Sequence, residues 1–555
     1  MTATIKKIIS NPPFNLNSEA SEWVFATFDG LNEVEKLGQL FNLICFGPDP
    51  KLAVELLAHK VGGITRMFTP DFEAEQSAIA EIQAKSKIPV LISADLEGSI
   101  MSLPFGTQVP NPLALAAIND LDSTKIISDI MAKEAWAVGV NWSFTPVLDI
   151  NKEFKSAIVA TRGYGSDFDK IESQAMTQLK SFQAAGIAAS VKHWPGEGYD
   201  DRDQHLVTTI NPQNMAEWHE TFGRLYSHAI KAGVKTVMSA HIALPSYVRE
   251  VNPDAHELEQ CRPASISREL NLQLLRGELG FNGLIVSDAT PMAGLGSWSK
   301  REKYLPQVIE NGCDMILFSD NPSKDYENMA EALQDGRLSA DRLDMAVYRI
   351  LALKASLGLH LPQKLAKLPD LEQSQAIVQD ITEKAPTLVK DVQNILPLDV
   401  KTQRKIYLFT TGLVSPLQGP QDMEFVEMLK AEGFEVVIHD KTKPGLRLWE
   451  NADLVLYVMG EETLLTRERI FMNWADLTGF FGAAMERPWH EKDCALISFG
   501  YPYYLYDAPR MPCVVNSYMV GKSMQQATLE CLMGRKPFVG ISPIDPFCGL
   551  VDAKY

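Results

Sequence analysis

The chain contains no run of about 18 uncharged apolar residues, the length a helix needs to cross a bilayer, so no helical membrane span is expected. Its opening, MTATIKKIISNPPF, lacks the continuous apolar core of a secretory signal, which leads us to expect a cytoplasmic location. Cysteine is sparse and scattered. Cys45, Cys261, Cys313, Cys494, Cys513, Cys531 and Cys548 are odd in number and show no C-x-x-C spacing, so neither a zinc site nor a disulfide framework is indicated, and they read as core thiols. Positive charge is also short. Lys and Arg number 52 against 70 Asp and Glu, a net charge of −18, which argues against a nucleic-acid or anionic-membrane partner. No internal repeat or low-complexity segment is evident. What the chain does have is length and apolar material. At 555 residues and 46% hydrophobic content it exceeds what one core normally supports, and two domains are expected.

Short apolar runs recur through the first 320 residues: FNLICFG from Phe41, then GGITRMF, VLISADLEG, NWSFTPVLDI, IAASVKHW, TVMSAHI, GLIVSD and DMILFSD, ending at Asp320. Between most of them lie helical patterns with periodic apolar residues and a Gly stop, such as STKIISDIMAKEAWAVG. Eight alternating β and α units predict a (β/α)8 barrel over residues 1–365. Prolines and mixed charges then break the rhythm, and residues 366–380 read as a linker. From 381 to 555 the runs KIYLFTTG, FEVVIHD, DLVLYVMG, CALISFG and CVVNSY alternate with helical segments, the pattern of an α/β sandwich domain with a mainly parallel sheet.

A barrel of this type gathers its active site where strands end and the following loops begin. Asp95, Asp149, His193, His241 and Asp288 all end predicted strands. The segment KHWPGEGYDDRDQH, Lys192 to His205, adds Asp203 and His205 two residues apart, and Pro195, Gly196 and Gly198 place them on a loop. Taken alone, each strand-end residue reads as structural before catalytic, and the D-x-H pair reads as a solvated turn.

Taken together, the segment resembles the KH-x-PG-x-G…D-x-H signature of glycoside hydrolase family 3, in its β-N-acetylglucosaminidase branch. LNEVEKLGQLF, ADLEG, VPNPLALAA, GVNWSFTPVLDIN, RGYGSD, VMSAHI and GFNGLIVSDATPMAG resemble family segments in the same order, and the likeness is strong over roughly residues 20–360. The resemblance implies that Asp288 is the nucleophile and that His205, partnered by Asp203, is the acid/base. It also implies that Asp95, Arg162, Lys192 and His193 hold hydroxyls of the terminal sugar. His241 and Met292 are further candidates beside them. A histidine with an ordinary pKa of about 6.5 can donate and then accept a proton near neutral pH, as a retaining mechanism requires. No metal and no cofactor are implied.

Departures from the family pattern leave the sugar open. Ser99 stands at the second Gly of the usual double Gly, and Leu103 stands where an Arg is usual, so one sugar contact is missing. Glu197 replaces the usual His or apolar residue; it reads first as a surface substitution, with a substrate contact or a helper of His205 as alternatives. The leading expectation is an exo-acting retaining β-N-acetylglucosaminidase that takes a small carbohydrate from cell-wall or chitin fragments. Alternatives are a β-glycosidase for another sugar, a β-glycoside phosphorylase, or an inactive sugar-binding protein. In other branches the acid comes from the second domain, and GEETLLTRER offers Glu461, Glu462 and Glu468; these read as a solvated acidic loop. The second domain is expected to be a packing or homodimerisation module, or a wall of the substrate cleft.

Overall fold

A computed structural model of the protein describes residues 2–362, 366–415, 419–443, 445–467 and 469–555. Eight parallel strands close into a barrel, and each coincides with one of the eight apolar runs, β9 extending one residue past its own. They are β1 (Phe41–Phe46), β2 (Gly63–Met67), β3 (Leu91–Ala94), β4 (Trp142–Ser143), β5 (Ala188–Trp194), β7 (Thr236–Ser239), β9 (Leu284–Ala289) and β10 (Met315–Leu317). Closure is between first and last, with Phe41 opposite Ile316 and Asn42 opposite Leu317. Two further short strands, β6 (Thr209–Ile210) and β8 (Ile242–Ala243), pair with each other outside the barrel.

The strands are apolar on both faces because side chains fill the barrel inside and helices cover it outside. Those helices carry the expected stops. The helix Leu121–Val138 starts where the Asp120 carboxylate accepts from the Asp122 and Ser123 amides, and it ends at Gly139, whose φ of 101° is free only to glycine.

The second domain is built on a seven-stranded sheet in the order β11 (Thr387–Asp391), β17 (Cys513–Asn516), β16 (Asp493–Ser498), β15 (Leu454–Glu461), β12 (Lys405–Ser415) and β13 (Gly419–Gln421), with β14 (Glu435–Ile438) also pairing β12. β12, β14, β15, β16 and β17 run parallel; β11 and β13 are antiparallel additions at the edges. The stretch read as a linker, 366–380, is largely helix: Leu371–Thr382 is capped by Asp370 and buries Val378 and Ile381. Its apolar spacing overrides the nearby prolines.

The hydrophobic core of this domain includes Ile100, Leu113, Ala117, Ala157 and Ala160, which belong to the loops and the helix that follow β3 and β4. The second domain therefore packs on the face of the barrel where the strands end, over two of its βα loops. Among the described residues no helix is long and apolar enough to cross a membrane.

Candidate active site

The last turn of β5 sets the site. Trp194 is fully buried, edge-on to Trp218 and Tyr226 at centroid distances of 5.6 and 4.8 Å, and anchors the strand end that carries Lys192 and His193. The chain then turns sharply. A Cβ on Gly198 would lie 1.9 Å from the Ile150 carbonyl oxygen, and one on Gly196 would meet the Phe222 ring at 2.4 Å, so both glycines are required by close approach as well as by positive φ. The turn sends residues 199–208 back over the barrel mouth with Asp203 and His205 on them.

Four charges interlock on one side. Lys192 Nζ donates to Asp95 Oδ1 at 2.8 Å and pairs with Glu97 Oε1 at 2.7 Å. Arg162 grips Glu97 with two parallel bonds, Nε to Oε2 at 2.8 Å and Nη2 to Oε1 at 2.9 Å. Burial pushes the Glu97 carboxyl up, but Arg162 and Lys192 outweigh it and hold the group ionised, well below the usual carboxylate range. Lys192 is likewise kept charged against burial by Asp95 and Glu97. Glu97 and Lys192 are nearly inaccessible, whereas the Asp95 side chain is 31% exposed and faces the opening.

His193 continues the network. Its Nε2 lies 3.4 Å from Arg162 Nη2, and its Nδ1 lies 2.5 Å from Asp149 Oδ2, while Asp149 Oδ1 accepts the His193 and Glu197 amides at 3.0 and 3.1 Å. Burial raises the Asp149 carboxyl, and His193 with these amides more than reverses the effect. Glu197 is buried, not on the surface as expected, because its turn is folded under the loop; the Thr209 hydroxyl donates to its carboxyl at 3.3 Å. Burial, together with neighbouring Asp149, pushes the Glu197 carboxyl well above the usual range and so favours its protonated form.

Asp288 stands on β9, whose end faces the same opening. Its Oδ1 accepts the Ala289 amide at 2.7 Å, and among the described residues its Oδ2 accepts no hydrogen bond. Burial raises its carboxyl, but His193, His241 and His205 outweigh burial and hold it ionised. His241 is fully enclosed. Its Nε2 donates to the Ala289 carbonyl at 3.0 Å, which leaves Nδ1 to accept from Ser265 Oγ at 2.9 Å; burial keeps the ring neutral by lowering its pKa. It fixes the backbone beside Asp288 and makes no use of its side chain at the opening. Met292, half-buried, donates its amide to the same Ala289 carbonyl at 3.1 Å, and the next residue, Ala293, donates to the His205 carbonyl at 3.0 Å. The loop after β9 is thereby tied to the loop that carries His205.

The dyad itself is close. Asp203 Oδ1 accepts from the His205 amide at 2.8 Å and lies 2.6 Å from His205 Nδ1, so Nε2 is the ring nitrogen that Asp203 leaves open. The His205 side chain is 22% exposed and that of Asp203 only 2%. Burial raises the Asp203 carboxyl, and bonds from His205 and Thr466 hold it below the usual range.

All seven of Asp95, Arg162, Lys192, His193, Asp203, His205 and Asp288 thus gather at one end of the barrel. Glu97 is the residue the sequence reading passed over, although it lies two residues beyond Asp95 and so on the same side of an extended chain. Leu103, at the position of the missing Arg, is packed into the barrel core. The acidic loop of the second domain is not solvated as expected. Glu462 is buried, accepting from Ser99 Oγ at 2.5 Å and Asn111 Nδ2 at 3.2 Å, and Glu461 is half-buried against Tyr504; Glu468 lies outside the described residues.

Residues 34–353 match the glycosyl hydrolase family 3 N-terminal domain. Over nearly the whole chain the protein is similar to a β-N-acetylglucosaminidase/β-glucosidase of Cellulomonas fimi, with 37% identity covering 97% of this chain and 98% of that protein. The solved structure of the β-glucoside phosphorylase BglX superposes with a TM-score of 0.90 at 34% identity, covering 99% of this chain and 100% of that one. A family 3 β-N-acetylglucosaminidase from Paenibacillus sp. str. FPU-7 shares the fold at a TM-score of 0.80, with 24% identity over 94% of this chain and 100% of that one. A match across the entire barrel, joined to full-length kinship at this identity, places the chain in glycoside hydrolase family 3.

Proposed function

We propose that the protein is an exo-acting retaining β-glycosidase of the β-N-acetylglucosaminidase/β-glucosidase type, working by double displacement. The observation that carries this reading is the pairing of an ionised Asp288, with one oxygen anchored and the other free, with a histidine whose second nitrogen is already held by Asp203. In the first step Asp288 Oδ2 attacks the anomeric carbon while His205 Nε2 protonates the departing glycosidic oxygen. In the second, His205, now neutral, takes a proton from the acceptor as that acceptor displaces Asp288. The interlocked charges of Asp95, Glu97, Arg162 and Lys192 orient sugar hydroxyls without reorganising as charge develops. Asp95, the most open of them, makes the direct contact, and Glu97 holds Arg162 and Lys192 in place.

A second reading, phosphorolysis, draws on the kinship with BglX and on the chemistry of the base. A neutral imidazole does not repel a phosphate dianion as a carboxylate base would. The sugar follows the same division: the Cellulomonas fimi relative is named for both N-acetylglucosaminides and glucosides.

The test is a panel of nitrophenyl β-glycosides assayed with and without phosphate. Turnover of the N-acetylglucosaminide in buffer alone supports the leading reading. Turnover that requires phosphate and yields the sugar 1-phosphate supports the second. No turnover of any β-glycoside, with binding retained, would leave a sugar-binding protein and overturn both.

A further inference from the structure

The strand β15 runs out of the second domain's sheet, and the chain that follows it crosses onto the barrel. Glu462, buried, accepts from Ser99 Oγ at 2.5 Å, from Asn111 Nδ2 at 3.2 Å and from the Val520 amide at 2.8 Å. Next to it, Thr463 Oγ1 donates to the Ala157 carbonyl at 2.7 Å, and the Leu464 amide donates to the same oxygen at 3.1 Å. Four residues beyond this latch, Thr466 adopts a φ of 59° and its amide donates to Asp203 Oδ2 at 2.9 Å. Asp203 Oδ1 serves His205 twice; among the described residues the Thr466 N–H is the only donor to Oδ2. Ser99 itself has a φ of 48°, where glycine is favoured, and the hydroxyl it brings to that strained position is the donor to Glu462.

We propose that the segment Glu462–Thr466 is a positioning element for the acid/base: latched to the barrel through Glu462, it presents the Thr466 N–H to Asp203 and thereby fixes His205. This rests on the reading of His205 as the acid/base. The loop 199–208 has no barrel strand or long helix of its own, so the orientation of Asp203 depends on what holds its free oxygen. Loss of a donor from a buried carboxylate makes it more basic, and the dyad then binds its proton more tightly whether that proton sits on His205 or on Asp203. The other ionisable groups around the dyad are Glu197 and Asp200 on its own loop, His193 on β5, His241 after β7 and Asp288 on β9; Arg467, beside Thr466, is exposed. None of them bonds to the Thr466 amide.

The decisive variant is the full-length protein with the amide of residue 466 replaced by an ester, made with the α-hydroxy analogue of threonine. Every side chain is kept, and an ester oxygen faces Asp203 Oδ2 in place of N–H. Glu462→Ala, which removes the latch, is its companion. Both are compared with the unaltered protein on an alkyl β-glycoside, whose leaving group needs protonation, and on a dinitrophenyl β-glycoside, which does not. We expect kcat/KM to fall about tenfold on the alkyl glycoside, the scale of one bond to a charged group. The fall on the dinitrophenyl glycoside is less than about threefold, and the alkaline limb of kcat/KM moves up by about half a pH unit or more. Equal falls on the two substrates, or an unchanged ratio and unchanged limb in the ester variant, overturn the proposal. If Glu462→Ala does not fold, the ester variant decides alone. His205→Ala separates the two failures. If it shows the leaving-group signature and the ester does not, only the role of this segment falls; if it shows none, the acid/base assignment falls and this proposal with it.

Discussion

The two ends of the barrel each bury a carboxylate that its neighbours hold below the usual range, and they differ in what is left unbonded. At the N-terminal end Asp314, just before β10, is fully enclosed: Arg342 Nη2 donates to Oδ1 at 2.8 Å, while Arg276 Nη2 and the Ile285 amide donate to Oδ2 at 2.6 and 2.9 Å. At the C-terminal end Asp288 has one oxygen anchored and one free. Both carboxyls are raised by burial and brought below the usual range by their surroundings, three arginines in one case and the histidines at the barrel mouth with the Ala289 amide in the other. Ionisation therefore does not distinguish a structural acid from a reactive one. On the proposed mechanism the free oxygen does.

Removing the charge at the open end should affect chemistry alone. Asp288→Asn is expected to lose about three decades of turnover or more, the scale of deleting a covalent catalytic group, with a melting temperature close to that of the unaltered protein. A slow fluorinated substrate should label Asp288 and no other residue. Near-normal turnover in the Asn variant would end the assignment, and a large fall in melting temperature would blur the contrast between the two ends.

The converse holds at the closed end. Asp314→Asn leaves Arg276, Arg342 and Arg349 without a counter-ion, and breaking such a buried network costs about 3–5 kcal/mol. Denaturant unfolding should show that loss, while kcat per active site, titrated by the burst of a slow substrate, stays the same. A matching loss of kcat at full occupancy would mean that the two ends are coupled through the barrel and that position alone does not separate their roles.

The sequence carried this contrast unevenly. The barrel strands were legible because strands covered on both faces are apolar runs, and even β4, two residues long, lies inside one. β6 and β8 were not, since a two-residue ladder has no period to read. Nor was the helix Leu371–Thr382, where prolines upstream masked an apolar spacing that only packing could reveal. Among candidate site residues, those that end strands or sit in the D-x-H motif were legible, and the structure brings them together. Glu97, Glu197 and Glu462 were missed or misread for a common reason. A glutamate in a loop looks solvated unless its partners are known, and here Arg162 lies 65 residues from Glu97, while Ser99 and Asn111 lie more than 350 from Glu462. Thr466 leaves no trace in sequence at all, because the group it contributes is a backbone amide.

Glu197 is the case that tests the criterion itself, since it sits at the open end yet is enclosed like Asp314. By position it belongs to the chemistry; by its lack of a charged, open oxygen it does not. Burial and Asp149 favour its protonated form, and in that form Glu197→Gln exchanges one neutral group for another of the same shape. Activity on both alkyl and aryl glycosides should stay within about threefold of the unaltered protein, because no charge or transition-state contact is removed. Stability carries the signature instead. A carboxyl whose folded pKa lies above its unfolded value of about 4.3 stabilises the fold fully below that value, and the contribution is lost as pH rises through the folded pKa. The unaltered protein should therefore lose stability on going from mildly acid to alkaline pH more steeply than Glu197→Gln, and denaturant unfolding across that range measures the difference. Parallel pH dependences would mean that Glu197 is ionised in the folded protein. If the Gln variant also abolished turnover of the alkyl glycoside, Glu197 would be the acid and His205 would not.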